Sequence, residues 1–353
     1  MPGDLAAILI GFFAAGGIVV YAGVHLTRAG DDLGEILKLG GSWIGLVVLS
    51  AITSLPELVA SIGSSAWQGQ PNLACGNVFG SNSFNIFIIA ILDLFLKGGP
   101  ISYRFGVLPS FSGGLGILMT GLGAMVILFN QPAFETAVRF PDWFWSALIA
   151  AGYISCMVML YRFEKRSYRE KLTSTRATPT VDASIVGESK LKPVIQKMVF
   201  SAFFVVLAGL GMVYLADQLA VYPFAFGQLG HTFVGSLGLA LATSLPELVV
   251  GVTALKMGKF DLATGNLFGS NIFNILILAI SQLTFAPFHS GVFYGGVELL
   301  NLMSALLAMM LSGVAIAGLM YRSERSFFRL GWDSATILVL YAGGTYLLFL
   351  LGH

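Results

Sequence analysis

Two glutamates stand where a carboxylate is costly. Glu57 lies in "ITSLPELVAS", which starts at Ile52, and Glu247 in "ATSLPELVVG", which starts at Ala242. Helix positions i and i+4 share a face, so Thr53 aligns with Glu57 and Thr243 with Glu247. Ser54 and Ser244 lie beside them. Downstream, "GNVFGSNSFNIFIIAIL" begins at Gly76 and "GNLFGSNIFNILILAI" at Gly265. There Ser81 aligns with Asn85, and Ser270 with Asn274. Each set presents one carboxylate, several hydroxyls and one amide oxygen from two adjacent helices. Hard oxygen donors suit Ca²⁺ and Na⁺; the His and Cys ligands that softer metals prefer are missing from both sets. Pro56 cannot donate to the carbonyl of Ile52, nor Pro246 to that of Ala242. Such loosened backbone is tolerated inside a membrane where it lines a protein-enclosed cavity.

The elements that carry these residues are membrane spans. The chain has 353 residues, 56% hydrophobic and only 10% charged, against about 25% charged in an ordinary soluble domain. A helix needs about 20 apolar residues to cross a bilayer. Ten such runs are read, approximately at 5–27, 42–67, 73–96, 106–129, 143–161, 196–218, 230–255, 262–286, 296–319 and 333–351. The first lacks a basic n-region and a cleavage site, and reads as a retained span. Cys75 and Cys156 fall within spans and imply no disulfide framework. A net charge of +1 gives nucleic acid no electrostatic foothold.

Charge placement sets a topology. With both termini outside, the inside loops hold every one of the 19 Lys and Arg residues except Arg139. They include Arg28, Lys97, Lys256, Lys259, Arg322 and the run "YRFEKRSYREK" from Tyr161. This is the positive-inside pattern; the expected setting is a prokaryotic inner (plasma) membrane. That basic run marks topology first, with anionic lipid as a secondary partner. Trp67, Trp143, Trp145 and Trp332 lie at span edges, as an aromatic belt predicts. Asp93, Asp217 and Glu298 read as interfacial, and His231 and His289 as wetted outside ends.

The two polar blocks recur in the same order, offset by 190 and then 189 residues. The chain is therefore a duplication. Each half holds five spans, and an odd number forces the second half to cross in the opposite sense. The expected fold is an all-α polytopic membrane protein: ten transmembrane helices as two inverted five-helix repeats. The halves are 1–161 and 196–353, joined by a cytoplasmic linker at 162–195. Inverted repeats are a common transporter plan, with the substrate site near the midplane where the halves meet. Gly76-xxx-Gly80 and Gly265-xxx-Gly269 are expected to let helices approach closely.

TSLPE followed by GNxxGSNxxN, in both halves, resembles the two α-repeats of the sodium/calcium exchangers of the cation/calcium antiporter superfamily. The α-repeats would span about 42–96 and 230–286. The resemblance implies alternating-access exchange of Ca²⁺ for Na⁺ between the repeats, with the first and sixth spans sliding as a gating pair. It implies cation ligands at Thr53, Ser54, Glu57, Ser81 and Asn85, and at Thr243, Ser244, Glu247, Ser270 and Asn274. The family commonly has an acid at the position of Asn85 or Asn274; here both are Asn. Two carboxylates balance one Ca²⁺ or two Na⁺. The Glu-His signature of proton/calcium exchange is missing.

The bilayer and the transported ions are the expected partners, with no cofactor, no nucleic acid and a monomer as the working unit. Exchange coupled to H⁺ or K⁺ is the alternative within transport. A cation channel would normally build its pore around an oligomer axis or ring, whereas here both halves of the site share one chain. A membrane enzyme finds no HExxH or GxSxG motif to support it.

Overall fold

The computed structural model describes residues 2–37, 39–96, 108–132, 140–174, 183–220, 230–321, 326–327 and 330–351. Of side chains, those of 2–4, 167–190, 217, 220, 230–241 and 326–327 are also outside the description. Lys38, Lys97, Arg104, Arg139, Arg176, Arg322, Arg325 and Arg329, and the side chains of Asp217 and His231, thus lie outside the described residues.

The described residues form ten long helical elements. In the first half these are α1 (Pro2–Leu37), α2 (Gly41–Trp67), α3 (Pro71–Phe95), α4 (Leu108–Phe129) and α5 (Asp142–Ser174). In the second they are α6 (Ala183–Ala220), α7 (Gly230–Lys256), α8 (Phe260–Phe285), α9 (Leu300–Tyr321) and α10 (Trp332–Leu351). Among the described residues, nine of these helices contain a stretch long and apolar enough to cross a membrane; α7, 27 residues long, lies partly outside that description. The protein is an all-α polytopic membrane protein of ten helices in two inverted five-helix repeats. A short hairpin, β1 (Ser326–Phe327) with β2 (Leu330–Gly331), precedes α10.

The expected linker is largely helix. α5 continues to Ser174 and α6 begins at Ala183, because the Arg, Glu and Lys of this stretch are good helix formers once outside lipid. Within each half, the second helix turns sharply into the third. Gly69 and Gly258 occupy these two turns with φ of 65° and 73°, a left-handed conformation that only glycine adopts freely.

α3 and α8 are the most deeply buried of the candidate spans, and α1 and α10 among the least. Ile10, Phe13, Val199 and Phe203 are exposed on the outer faces of α1 and α6, as lipid-facing residues should be. α1 and α6 lie against each other and against the proline helices of the opposite halves. A Cβ on Gly23 of α1 would lie 2.7 Å from Val249, and one on Gly209 of α6 would lie 3.0 Å from Pro56. Lys259, in the α7–α8 turn, ties α1 to the second half through Asp31 at 2.9 Å and Glu35 at 3.4 Å. The Asp31 bond holds its ammonium above the usual lysine range.

The polar residues near span ends are more tightly engaged than an interfacial reading expects. Asp93 is buried, and its Oδ2 accepts from the Gly331 N–H at 2.8 Å. Glu298 exchanges hydrogen bonds with Asn72. His289 is half-buried, with Nε2 bonded to the Ala66 carbonyl. Trp67, Trp143 and Trp332 are exposed. Trp145 instead packs among Phe129, Phe140 and Phe144.

Candidate functional site

The four polar blocks converge at the centre of the bundle. Thr53, Ser54, Glu57, Asn85, Thr243, Ser244, Glu247, Ser270 and Asn274 are fully buried, and Ser81 is 2% exposed. Apolar periodicity cannot explain this. Ten polar side chains withdrawn from solvent at one level must satisfy one another or something else.

They do so across the repeats, in reciprocal pairs. Ser54 of α2 donates to Glu247 Oε1 at 3.2 Å, and Ser244 of α7 donates to Glu57 Oε1 at 3.4 Å. Ser270 also donates to Glu247 Oε1 at 3.4 Å. The asparagines follow the same rule. Asn85 Nδ2 donates to Asn271 Oδ1, and Asn274 Nδ2 donates to Asn82 Oδ1, each at 3.0 Å. Asn82 and Asn271 then donate to each other's backbone carbonyls, at 3.2 and 3.1 Å. Asn82 makes a further contact to Thr120 of α4 at 3.3 Å.

The leftover atoms carry the chemistry. Each carboxylate keeps one oxygen, Oε2 of Glu57 and Oε2 of Glu247, buried with no hydrogen-bond partner. Oδ1 of Asn85, Oδ1 of Asn274 and Oγ of Ser81 are in the same condition. A buried polar atom without a partner costs about 1–3 kcal/mol, and more when charged. Four of these five atoms can only accept, so a hydroxyl or amide added beside them would be one remedy and a cation the other. Among the described residues, no three His, Cys, Asp or Glu side chains gather to hold a metal. The site is therefore two carboxylates set among neutral oxygens, the composition that hard cations bind.

Local structure explains the placement. α2 is interrupted at Ser54, whose φ and ψ of −86° and 8° leave the α-helical range. Pro56 lies in the first turn of the segment that follows, where its missing N–H costs nothing. Wide π-helical turns flank the break, at Ile44–Leu49 and Gly63–Trp67; such turns are frequent at functional sites. α8 presses on the first of them. A Cβ on Gly265 would meet the Ser42 carbonyl at 2.5 Å, and one on Gly269 would collide with the Leu46 carbonyl. The second GxxxG pair thus does what its spacing suggests. The first does not: a Cβ on Gly76 finds only Asn301 Oδ1 at 3.3 Å, and one on Gly80 finds nothing within 4 Å.

A family comparison bears on the same residues. The sodium/calcium exchanger protein family matches residues 7–162 and 195–351, nearly the whole chain. The chain belongs to the sodium/calcium exchanger family. Among relatives, an antiporter-named protein of Alkalimonas amylolytica, CaxA, is 26% identical over 345 residues, 94% of this chain and 95% of its own length. The sodium/calcium exchanger MaX1 of Methanosarcina acetivorans is 27% identical over 285 residues, 73% of this chain and 78% of its own. Among solved structures, the sodium-calcium exchanger NCX_Mj superposes with a TM-score of 0.68 over 95% of this chain and 97% of its own, at 19% identity. That likeness speaks for the fold.

In this exchanger-family protein the ten polar residues that meet at the centre stand out in the sequence, whereas four asparagines that hold them do not. Asn82 and Asn271 orient the amides of Asn274 and Asn85. Asn77 donates to the Glu57 carbonyl at 3.1 Å and to Ser61 Oγ at 2.9 Å, fastening α3 to the interrupted helix. Asn266 accepts from Thr53 Oγ1 at 3.2 Å. The signal was available: all four are polar residues inside apolar helices, and each is repeated in the other half.

Proposed function

We infer that this protein is a secondary active antiporter that exchanges Ca²⁺ for Na⁺ by alternating access, with the ions held between the two repeats. The observation that carries this reading is the set of acceptor oxygens left without partners on Glu57, Glu247, Asn85 and Asn274. We assign the ligands to Thr53, Ser54, Glu57, Ser81 and Asn85, and to Thr243, Ser244, Glu247, Ser270 and Asn274. The carboxylates supply the charge that replaces part of the hydration shell. The hydroxyls and amides complete coordination without adding charge. Ca²⁺ takes six to eight oxygens, which a two-sided donor set can supply when the repeats close on it.

Charge sets the ratio. Two carboxylates balance one Ca²⁺ or two Na⁺, and moving an unbalanced charge through a low-dielectric core is costly. We assign an exchange of two Na⁺ per Ca²⁺, which moves no net charge. An empty site would carry two negative charges, so the return step without cargo is disfavoured and transport is obligatorily coupled. The asparagine positions provide no third titratable group for proton coupling.

The halves are 1–161 and 196–353, joined through 162–195, and α1 and α6 slide as a gating pair over the rest, in a single chain that works as a monomer. The setting is a prokaryotic inner or plasma membrane, with the termini outside and the joining segment cytoplasmic. Positive charges clustered at one end of the spans support that orientation.

The test is ⁴⁵Ca²⁺ uptake into proteoliposomes under imposed Na⁺, K⁺ or H⁺ gradients in turn, with the membrane potential clamped by a K⁺ ionophore. A trans Na⁺ gradient should drive uptake, and the potential should not change its rate. Uptake driven by H⁺ or K⁺ in place of Na⁺ would reassign the counter-ion, and flux that needs no trans ion would point to a channel.

A further inference from the structure

A groove of about 700 Å³ opens between α1 and α6 on the outer face of the bundle. One end of it is apolar, with Ala14, Gly17 and Ile18 of α1. The other end is charged, with Arg28, His25 and Asp32 of α1 facing Lys197 of α6. Tyr21, Phe200 and Phe204 lie along its length.

Arg28 and Lys197 are exposed, yet neither forms an ion pair with a described residue. The neighbouring acid Asp31 is already engaged by Lys259. Asp32 opposes an anion, but two free cations against one acid leave the groove's charged end positive. His25 gives its Nδ1 hydrogen to the Tyr21 carbonyl at 2.9 Å, so its other nitrogen remains available. Ala14 and Arg28 are 14 residues apart, about 21 Å along a helix. Half of the hydrocarbon core is about 15 Å thick. A groove whose apolar end lies near the midplane therefore brings its cations to the level of the lipid phosphates.

We propose that this groove is a binding site for one anionic phospholipid. Its phosphate lies between Arg28 and Lys197, and an acyl chain runs along Ile18, Tyr21, Phe200 and Phe204. A zwitterionic lipid would offer the same phosphate but also an ammonium, which the paired cations disfavour. The proposal rests on the antiporter reading for its consequence. α1 and α6 are the helices that slide during alternating access, so a lipid held by a cation from each couples their motion. The exchange rate then depends on the headgroup charge of the bilayer.

Two measurements test it. Native mass spectrometry of the detergent-solubilised protein counts retained phosphatidylglycerol, and Arg28→Gln with Lys197→Gln should lose one bound molecule. In phosphatidylcholine vesicles, adding phosphatidylglycerol should raise Na⁺-driven Ca²⁺ flux severalfold in the wild type. The double variant should keep the phosphatidylcholine rate and lose the increment. Inorganic phosphate added to phosphatidylcholine vesicles should not substitute for the lipid. A double variant that retains the same lipid count and the same increment overturns the site. Equal retention of phosphatidylcholine and phosphatidylglycerol overturns the charge selectivity. Absence of Na⁺-driven flux in every lipid would instead refute the antiporter reading, while the lipid count still decides the groove.

Discussion

The segments Thr53–Glu57 and Thr243–Glu247 share one sequence and have two structures. In the first half the helix is interrupted at Ser54, with π-helical turns on either side. In the second, α7 runs as one α-helix from Gly230 to Lys256 with Pro246 inside it. The partners differ in the same way. α8 lies backbone to backbone against the first part of α2 through Gly265 and Gly269, while Gly80 on α3 has open space beside it. Asn77 fastens to Ser61 Oγ within its own half. The matching position in the second half is Gly251, which has no hydroxyl to offer, and Asn266 reaches across to Thr53 instead. An inverted repeat with identical halves in identical environments would have no inside and outside. Here the halves differ in how tightly the third helix of each grips the second helix of the other: α8 lies close on α2, while Gly80 of α3 has open space. That difference is what alternating access requires one conformation to have and the opposite conformation to reverse.

Equality at the two proposed cation-binding glutamates is the first part of the comparison to break. Glu57→Gln and Glu247→Gln each remove half the site's charge while preserving size. Uncompensated loss of a buried charge partner costs about 3–5 kcal/mol, more than about a hundredfold in cation affinity. Both variants should express and unfold like wild type and lose nearly all Na⁺-driven Ca²⁺ flux. A variant that keeps half of the wild-type flux at normal expression would move the cation site elsewhere.

The glycines sharpen the asymmetry. Gly269→Ala forces a methyl into the Leu46 carbonyl, and overpacking of this kind costs about 1–3 kcal/mol. Gly80→Ala meets open space and should be neutral or slightly stabilising, since alanine outranks glycine in a helix by about 0.5–1 kcal/mol. Thermal unfolding in detergent should separate the two. If the halves exchange roles during transport, Gly80→Ala should nevertheless slow flux, because α3 must then take up the grip that α8 holds here. Equal destabilisation by the two variants would show that the open space beside Gly80 is not a feature of the resting protein.

The smallest effect concerns the amide cradle. Asn82→Ala frees the amide of Asn274, and Asn271→Ala frees that of Asn85, so each leaves the oxygen of a proposed ligand present but no longer aimed. A lost hydrogen bond of about 1 kcal/mol corresponds to about a fivefold weakening of Ca²⁺ binding. The two variants should weaken it alike, since the bonds are reciprocal and equal at 3.0 Å. Calcium titration by isothermal calorimetry reads this directly. A large effect at one asparagine and none at the other would mean that the cradle serves only one of the two amides.

Much of this protein is written in local sequence. Ten long apolar runs can only be satisfied as helices in lipid, because backbone groups must bond within their own segment there. The doubled TSLPE and GNxxGSNxxN blocks mark where polar atoms are buried, because a carboxylate in such a run is too costly to be incidental. Helix spacing sets Thr53 beside Glu57 and Ser81 beside Asn85. What the chain could not reveal one segment at a time is which atoms those residues would leave free. That depends on partners 186 to 193 residues away: Ser244 for Glu57, Ser54 for Glu247, Asn271 for Asn85 and Asn82 for Asn274. Nor could identical pentapeptides announce that one would break and the other would not. Proline permits both outcomes, and the close packing of Gly265 and Gly269 against α2, set beside the open space at Gly80, distinguishes the two halves in this structure.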